Sequence, residues 1–454
     1  MKPIKMSLAV EIMRGELRGN CADEFCGVCT DSRRIQPMEL FFALTGDNFD
    51  GHDFVKTCLE RGAAAAVVRR QTRFSSDRTI HVDDPLRAYQ MLAGHYRRQF
   101  VIPIVGITGS HGKTTTKDLI GSILRTRYDV LQTHENNNGL IGVPMTLFRL
   151  REHHEVAVVE TGISKPGEMD LLAPVLQPDI ALITCAASTH TEFLGTVENV
   201  AQEKSRLLDH VKPGGIRILN ADDPGLESIR SRYSAITYGI VSGDFRAAIV
   251  QQDSRRTVFE VTKPIDLEGI YEVLLPGRHN VLNALAALCV THQIGCTADE
   301  IRKGLSDARL SPHRCRVFQL NRMTIIDDCY NAAPASVRSN LTMLREIAGD
   351  GRTVAILGDM LELGDISDVE HRAIGRLIAE LPIDIGFFFG EKMKLAWEEA
   401  LGNGAVAFHF ETGEAASEAV ATVLREGDSV LIKASRSMHA ERILEQLIRI
   451  FGKR

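Results

Sequence analysis

The chain has 454 residues, 44% hydrophobic and 25% charged, with a net charge of −6. That length exceeds one hydrophobic core and implies two to four domains of ordinary soluble composition. The mild acidity gives no footing for nucleic acid, no apolar run is long enough to span a membrane, and the opening MKPIKMSLAVEIMRGELRGN is too short and interrupted in its apolar stretch for a secretory signal.

A cytoplasmic location is therefore expected, with no nucleic-acid or membrane partner. The nine cysteines are scattered, and an odd number argues against a disulfide framework. Cys26-Gly27-Val28-Cys29, with Cys21 nearby, has no second close pair to complete a zinc site. Free thiols in a reducing compartment account for them better.

The elements predict an α/β protein in three units. Residues 1–100 form a small first unit. Its strands are Glu39–Leu44 and Ala63–Val68, separated by a turn over Thr45–Gly51 and a helix near 52–61. A helix over 83–100 leads onward.

Residues 101–310 form the central unit, with apolar strands ending at Val105, Val159 and Ile183 and helices between them. Such alternation builds a mostly parallel sheet covered on both faces. Ligands of such sheets lie at the carboxyl ends of the strands.

There the chain reads Gly106-Ile107-Thr108-Gly109-Ser110-His111-Gly112-Lys113-Thr114-Thr115-Thr116. It follows the strand ending at Val105 and precedes apolar Leu119, Ile120, Ile123 and Leu124, the spacing of one helix face. A glycine loop between strand and helix aims backbone N–H groups and the positive helix end at one point, a cradle for phosphate. Gly109, Ser110, His111, Gly112, Lys113, Thr114 and Thr115 are the expected nucleotide contacts. Lys113 reaches a terminal phosphate and the Thr114 hydroxyl binds its magnesium. The spacing is a variant of the usual loop, Thr-Gly-x-x-Gly-Lys-Thr.

Further along, Glu160 ends the run Val156–Val159 and is followed by Thr161-Gly162. A carboxylate at the strand end, near the phosphate loop, is placed to hold magnesium. His190 follows the strand ending at Ile183, where a lone loop histidine is ordinarily just solvated. Asn136-Asn137-Asn138 offers donors and acceptors without net charge, suited to a phosphorylated sugar or a peptide.

Residues 311–454 form the third unit, a second doubly wound α/β domain. Its strands are Met323–Ile326, Val354–Leu357, Ile385–Phe389 and Val430–Ile432. Helices are expected over 336–348, 367–380, 413–425 and 438–451.

The variant phosphate loop resembles that of the ATP-dependent Mur ligases of peptidoglycan synthesis, and the resemblance spans nearly the whole chain. It implies that Glu160 and His190 are metal ligands, with Thr114, for two magnesium ions. It also implies that Lys204, in Val200-Ala201-Gln202-Glu203-Lys204-Ser205, is carbamylated by CO₂ to give a further anionic ligand. Asn137 and Asn138 lie in the family's substrate loop. Asn283, in Gly277-Arg278-His279-Asn280-Val281-Leu282-Asn283, matches the asparagine beside the adenine.

In the third unit Arg314 is expected on the γ-phosphate after closure and Asp328 on the ribose. Arg316 and Asp327 compete with them for register. The resemblance makes Lys113, Lys204, His190 and Arg314 the catalytic set.

Leu357-Gly358-Asp359-Met360-Leu361-Glu362-Leu363-Gly364, Asp328-Cys329-Tyr330-Asn331-Ala332-Ala333-Pro334 and Lys433-Ala434-Ser435-Arg436-Ser437 choose the branch, with Thr30-Asp31-Ser32-Arg33 and Asp50-Gly51-His52. They imply joining of D-alanyl-D-alanine to UDP-N-acetylmuramoyl-tripeptide by a monomer. Ser32 and Arg33 would hold the UDP end, and Asn331, Lys433 and Arg436 the dipeptide side. Cys185, Ala187, Ala333 and Ala434 depart from common family residues. Rival readings are a ligase adding a single amino acid, a folylpolyglutamate-type ligase and a nucleotide-dependent scaffold. The Asp-Asn-Pro-Arg run usual in the ligase for the third amino acid is missing.

Overall fold

The computed structural model describes residues 1–46, 49–72 and 77–452. Asp47 and Asn48 of the expected turn lie outside the described residues. Among the described residues the first unit has a five-stranded sheet in the order Glu16–Arg18, Thr79–Val82, Ala65–Arg69, Glu39–Phe42 and Gly27–Cys29. Only its first pair is antiparallel.

The expected helix over 83–100 runs Pro85–Arg97. Asp84 starts it by accepting from the N–H groups of Leu86 and Arg87, and Pro85 has no N–H to leave orphaned. Its buried face fastens the first unit to the central one. Arg97 donates to the carbonyls of Leu176 (2.9 Å) and Gln177 (3.0 Å) and lies 3.4 Å from Asp179. The Tyr96 hydroxyl donates to the Leu150 carbonyl at 2.9 Å. One apolar core runs through both units, from Phe42, Tyr89 and Tyr96 to Leu172, Leu176 and Leu207.

Among the described residues the central sheet has nine strands. Their order is Gly269–Val273, Thr257–Lys263, Phe245–Gln252, Ile236–Gly239, Ile216–Asn220, Ile180–Ile183, Ile104–Thr108, Val156–Glu160 and Val130–Gln132. The strand expected to end at Val105 continues to Thr108. Pairing on both flanks carries it on, Ile107 opposite Glu160 and Thr108 opposite Ile183. The other two expected strands end at Glu160 and Ile183.

A part not anticipated is the antiparallel run from Phe245 to Val273. Phe245–Gln252 is buried only in its first half, so its pattern does not read as a core strand.

The third unit's sheet has six strands among the described residues, all parallel except the Arg316–Leu320 and Met323–Asp327 hairpin. The four expected strands and four expected helices are present within a few residues of their expected ends. The helix Met393–Gly402 and the four-residue strand Ala407–Phe410 were not anticipated. No helix among the described residues is long and apolar enough to cross a membrane.

Candidate active site

Three strand ends of the central sheet converge on the glycine loop. Gly112 precedes the helix Lys113–Leu124 with φ +78°, a conformation that favours glycine. A Cβ there would meet Asn283 Oδ1 at 2.5 Å, and one on Gly109 (φ +151°) would meet Thr184 Oγ1 at 1.9 Å. The loop therefore lies against backbone and polar side chains with no room to spare. Leu119, Ile120, Ile123 and Leu124 are fully buried, as their spacing required. Lys113 folds back, donating to the carbonyls of Gly109 (2.7 Å) and Ser110 (3.3 Å). Burial lowers its ammonium below the usual lysine range, against the opposing pull of Glu160. Burial also takes the His111 imidazole down to about 4, so it is neutral at physiological pH.

Glu160 is 1% exposed. Its Oε1 accepts from Thr114 Oγ1 (3.2 Å) and Asn138 Nδ2 (2.7 Å), while Oε2 is buried with no partner among the described residues. Gly162 makes room for that contact, since a Cβ there would meet the Asn138 side chain at 2.8 Å. A buried carboxylate oxygen without a donor is costly unless a ligand completes it. Thr114, Glu160 and His190 line one cavity, and the hydroxyl and carboxylate among them are hard oxygen donors that suit magnesium. Among the described residues no group of three or more His, Cys, Asp or Glu side chains could hold a metal, so further ligands would have to come from substrate, water or Lys204.

Lys204 lies in the helix Val197–Asp209, which Thr196 caps by accepting from the Asn199 N–H. It is 1% exposed, and burial followed by the nearby Lys113 charge lowers its ammonium to about 7. The neutral amine is therefore abundant at neutral pH. Lys204 is not among the residues that line the cavity, although its charge is felt by His111 of the loop and it feels that of Lys113.

The cavity, about 750 Å³, is closed from the other side by the third unit. Arg314 and Asp328 line it, whereas Arg316 and Asp327 do not. Arg316 begins a strand, and Asp327 is turned inward to His313 Nδ1 at 2.9 Å. The Arg314 guanidinium lies 3.6 Å from the centre of the Tyr330 ring, with its Nε buried and unpartnered. Burial alone would raise the Asp328 carboxyl, but the Lys433 ammonium against it holds it below the ordinary value. Asp328 also accepts from Asn340 Nδ2 (2.6 Å) and the Cys315 N–H (3.0 Å).

Lys433 is 2% exposed and donates to the Asn331 carbonyl at 2.8 Å as well. It is thus a buried, paired cation rather than a surface charge. Arg436 is exposed, paired with Glu441 at 3.1 Å, and lies 5.6 Å from the Tyr330 ring.

Most of the expected site residues meet in this cavity. Ser110, His111, Gly112, Lys113, Thr114 and Thr115 are there. So are Asn138, Glu160, His190 and Asn283, and from the third unit Arg314, Asp328, Asn331, Lys433 and Arg436. Asn283 accepts from Thr116 Oγ1 (3.3 Å) and donates to Asn280 (3.1 Å). Asn137 does not reach the cavity, although its neighbours Asn136 and Asn138 do.

Ser32 and Arg33 are elsewhere, in the first unit. The Ser32 carbonyl accepts from Arg61 at 3.0 Å. The largely exposed Arg33 clasps Asp31 at 2.8 Å, and that bond lowers the Asp31 carboxyl to about 2. Tyr330 and Glu362 were given no role by sequence reasoning. Both sit inside runs that mark the branch, and only the fold brings one under Arg314 and the other onto His190.

Residues 24–97 match the family described as Mur ligase family, catalytic domain. Residues 107–291 match the Mur ligase middle domain, and 313–436 the Mur ligase, glutamate ligase domain. The UDP-N-acetylmuramoyl-tripeptide--D-alanyl-D-alanine ligase of Bacillus subtilis is 35% identical, with 93% of each chain covered. The Escherichia coli protein of the same name is 33% identical, covering 98% of this chain and 99% of that one. A crystal structure of MurF from Acinetobacter baumannii superposes with a TM-score of 0.91 at 30% identity, covering 99% of both chains. MurF ligase from Thermotoga maritima in complex with ADP gives 0.83 at 28% identity, covering 94% and 98%.

Proposed function

The chain belongs to the Mur ligase family, and we propose that it joins D-alanyl-D-alanine to UDP-N-acetylmuramoyl-tripeptide with conversion of ATP to ADP and phosphate. One observation carries the reading. The phosphate loop, the half-satisfied Glu160 and the third unit's Arg314 all face one cavity of about 750 Å³.

In the proposed mechanism the tripeptide's terminal carboxylate attacks the γ-phosphorus of ATP, giving an acyl phosphate and ADP. Lys113 leaves its loop carbonyls to meet the transferring phosphoryl, and Arg314 meets it from the third unit. Both stabilise charge as it spreads in the transition state. The dipeptide amine then attacks the acyl carbon, and phosphate leaves as the amide forms.

Thr114, Glu160, His190 and a carbamate on Lys204 would hold magnesium, two ions in this reading. The metal neutralises phosphate charge when bound. Carbamylation needs a neutral amine to attack CO₂, and the depressed Lys204 supplies one. The carbamate would then turn a buried cation into an anion beside a dication.

Ser32 and Arg33 hold the UDP end and Asn138 the substrate. Asn283 lies by the base and Asp328 by the ribose. Asn331, Lys433 and Arg436 form the dipeptide side. The units divide near residues 100 and 310. The cavity is completed within one chain, which fits a monomer, and nucleotide substrates fit the cytoplasm.

The test is stoichiometry. UDP-N-acetylmuramoyl-tripeptide with D-alanyl-D-alanine is expected to release one ADP and one phosphate per amide. UDP-muramoyl-dipeptide with a free diamino acid is expected to give nothing. Ligation of the second pair and not the first would overturn the branch while leaving the ATP chemistry intact.

A further inference from the structure

Among the described residues, Glu362 of the third unit meets His190 Nδ1 of the central one. The contact is part of a short run of backbone crossings. The Glu192 N–H donates to the Glu362 carbonyl at 3.2 Å. Thr191 Oγ1 donates to the Leu363 carbonyl at 3.0 Å. A Cβ on Gly364 would meet Glu192 Cα at 2.8 Å, so the two backbones touch. His190 (φ +55°) and Glu362 (φ +61°) are both left-handed, a conformation that costs a non-glycine residue energy and persists where neighbours enforce it.

Stability does not explain this pair. The Glu362 side chain is 48% exposed, and exposed ion pairs contribute little. Its chemistry is more specific. A carboxylate on Nδ1 fixes the imidazole tautomer and leaves the Nε2 lone pair for a ligand. Nε2 has no hydrogen bond to the protein among the described residues. Both residues line the cavity that holds Glu160 and Thr114.

We propose that Glu362 is a positioning residue that orients His190 for metal ligation when the third unit closes on the central one, so that closure and metal binding are coupled. This rests on the reading of His190 as a metal ligand. The carboxylate comes from the third unit and the ligand from the central one, so separating the two units would free the imidazole and weaken the metal site.

The experiment measures Mn²⁺ binding by electron paramagnetic resonance on the full-length protein with saturating ADP. Wild type, Glu362→Ala, Glu362→Gln and His190→Ala are compared. Loss of an outer partner of a metal-binding histidine typically weakens affinity about 10–100-fold. That loss is expected for Glu362→Ala, with a smaller one for Glu362→Gln, which keeps an acceptor. ADP affinity without metal and the unfolding midpoint are expected to stay at wild-type values. In turnover, the apparent metal requirement should rise while kcat at saturating Mn²⁺ largely recovers. If His190→Ala weakens Mn²⁺ binding and Glu362→Ala does not, the coupling is overturned. If His190→Ala itself leaves Mn²⁺ binding unchanged, the ligand assignment fails, and the coupling with it.

Discussion

The central and third units face each other across one cavity and differ in how they handle charge there. On the central side, buried polar groups are left incomplete. Glu160 keeps an unpartnered oxygen, the Thr108 hydroxyl is unpartnered, and Lys204 is buried with its ammonium depressed to about 7. On the third side most of the charges are paired, although Arg314 Nε and Glu441 Oε2 are buried without a partner among the described residues. Asp328 is matched by Lys433, Arg436 by Glu441, and Glu362 reaches across to His190. The central unit is thus built to receive charge from outside the protein. The third is built to hold shape and to bring groups into place on closure.

Breaking a completed pair should be felt first in folding. Asp328→Asn leaves the Lys433 ammonium buried without its carboxylate, which typically costs about 3–5 kcal/mol. A loss of unfolding free energy of that size, read from a lowered urea midpoint at unchanged slope, is expected in the transition that unfolds the third unit. The wild-type pair should also show acid sensitivity. The Asp328 carboxyl is held below its usual value of 3.8 in the folded chain. Its contribution is therefore fully present above 3.8 and is lost as pH falls below it. Asp328→Asn should lack that acid limb, and a variant that retains it would assign the limb to other carboxylates.

Removing an incomplete group should be felt in chemistry instead. Lys204→Ala is expected to lose on the order of 10²-fold or more in turnover, as when a group that stabilises transition-state charge is deleted. Short-chain carboxylic acids, standing in for the carbamate, should restore part of it. Lys204→Met, which keeps most of the volume, should fold at least as well as wild type, because no buried cation remains to be desolvated. A markedly destabilised Lys204→Met would mean that the lysine has a structural partner after all.

The smallest effect tests the rim. Arg436→Ala should change stability by no more than about 0.5 kcal/mol, the usual range for an exposed surface substitution. Its signature should be a raised KM for D-alanyl-D-alanine with the KM for ATP unmoved. Equal shifts in both would place Arg436 near the nucleotide instead.

The same contrast explains what could be read in advance. Gly109 to Thr115 form one contiguous stretch whose spacing has a single structural meaning, and Glu160 lies at the end of an obvious buried strand. By contrast, the Lys433–Asp328 and Glu362–His190 pairs join residues 105 and 172 positions apart. No local pattern announces such a partner. Nothing in Lys433-Ala434-Ser435-Arg436 signals burial, and it is the placing of the strand Ser429–Lys433 between Met323–Asp327 and Thr353–Gly358 that takes Lys433 out of solvent. The antiparallel extension Phe245–Val273 stayed hidden because half its first strand is exposed.

The fastening of the helix Pro85–Arg97 to the central unit has a geometric consequence. Arg97 and Tyr96 bond to carbonyls of the neighbouring unit from within a shared apolar core. With the UDP end held near Ser32 and Arg33 as proposed, that fastening would keep the span from the anchor to the phosphate loop constant. The enzyme would then act as a fixed ruler. A muramoyl peptide one residue too short or too long would present its carboxylate off the mark, and selection by length would need no contact with the peptide's middle.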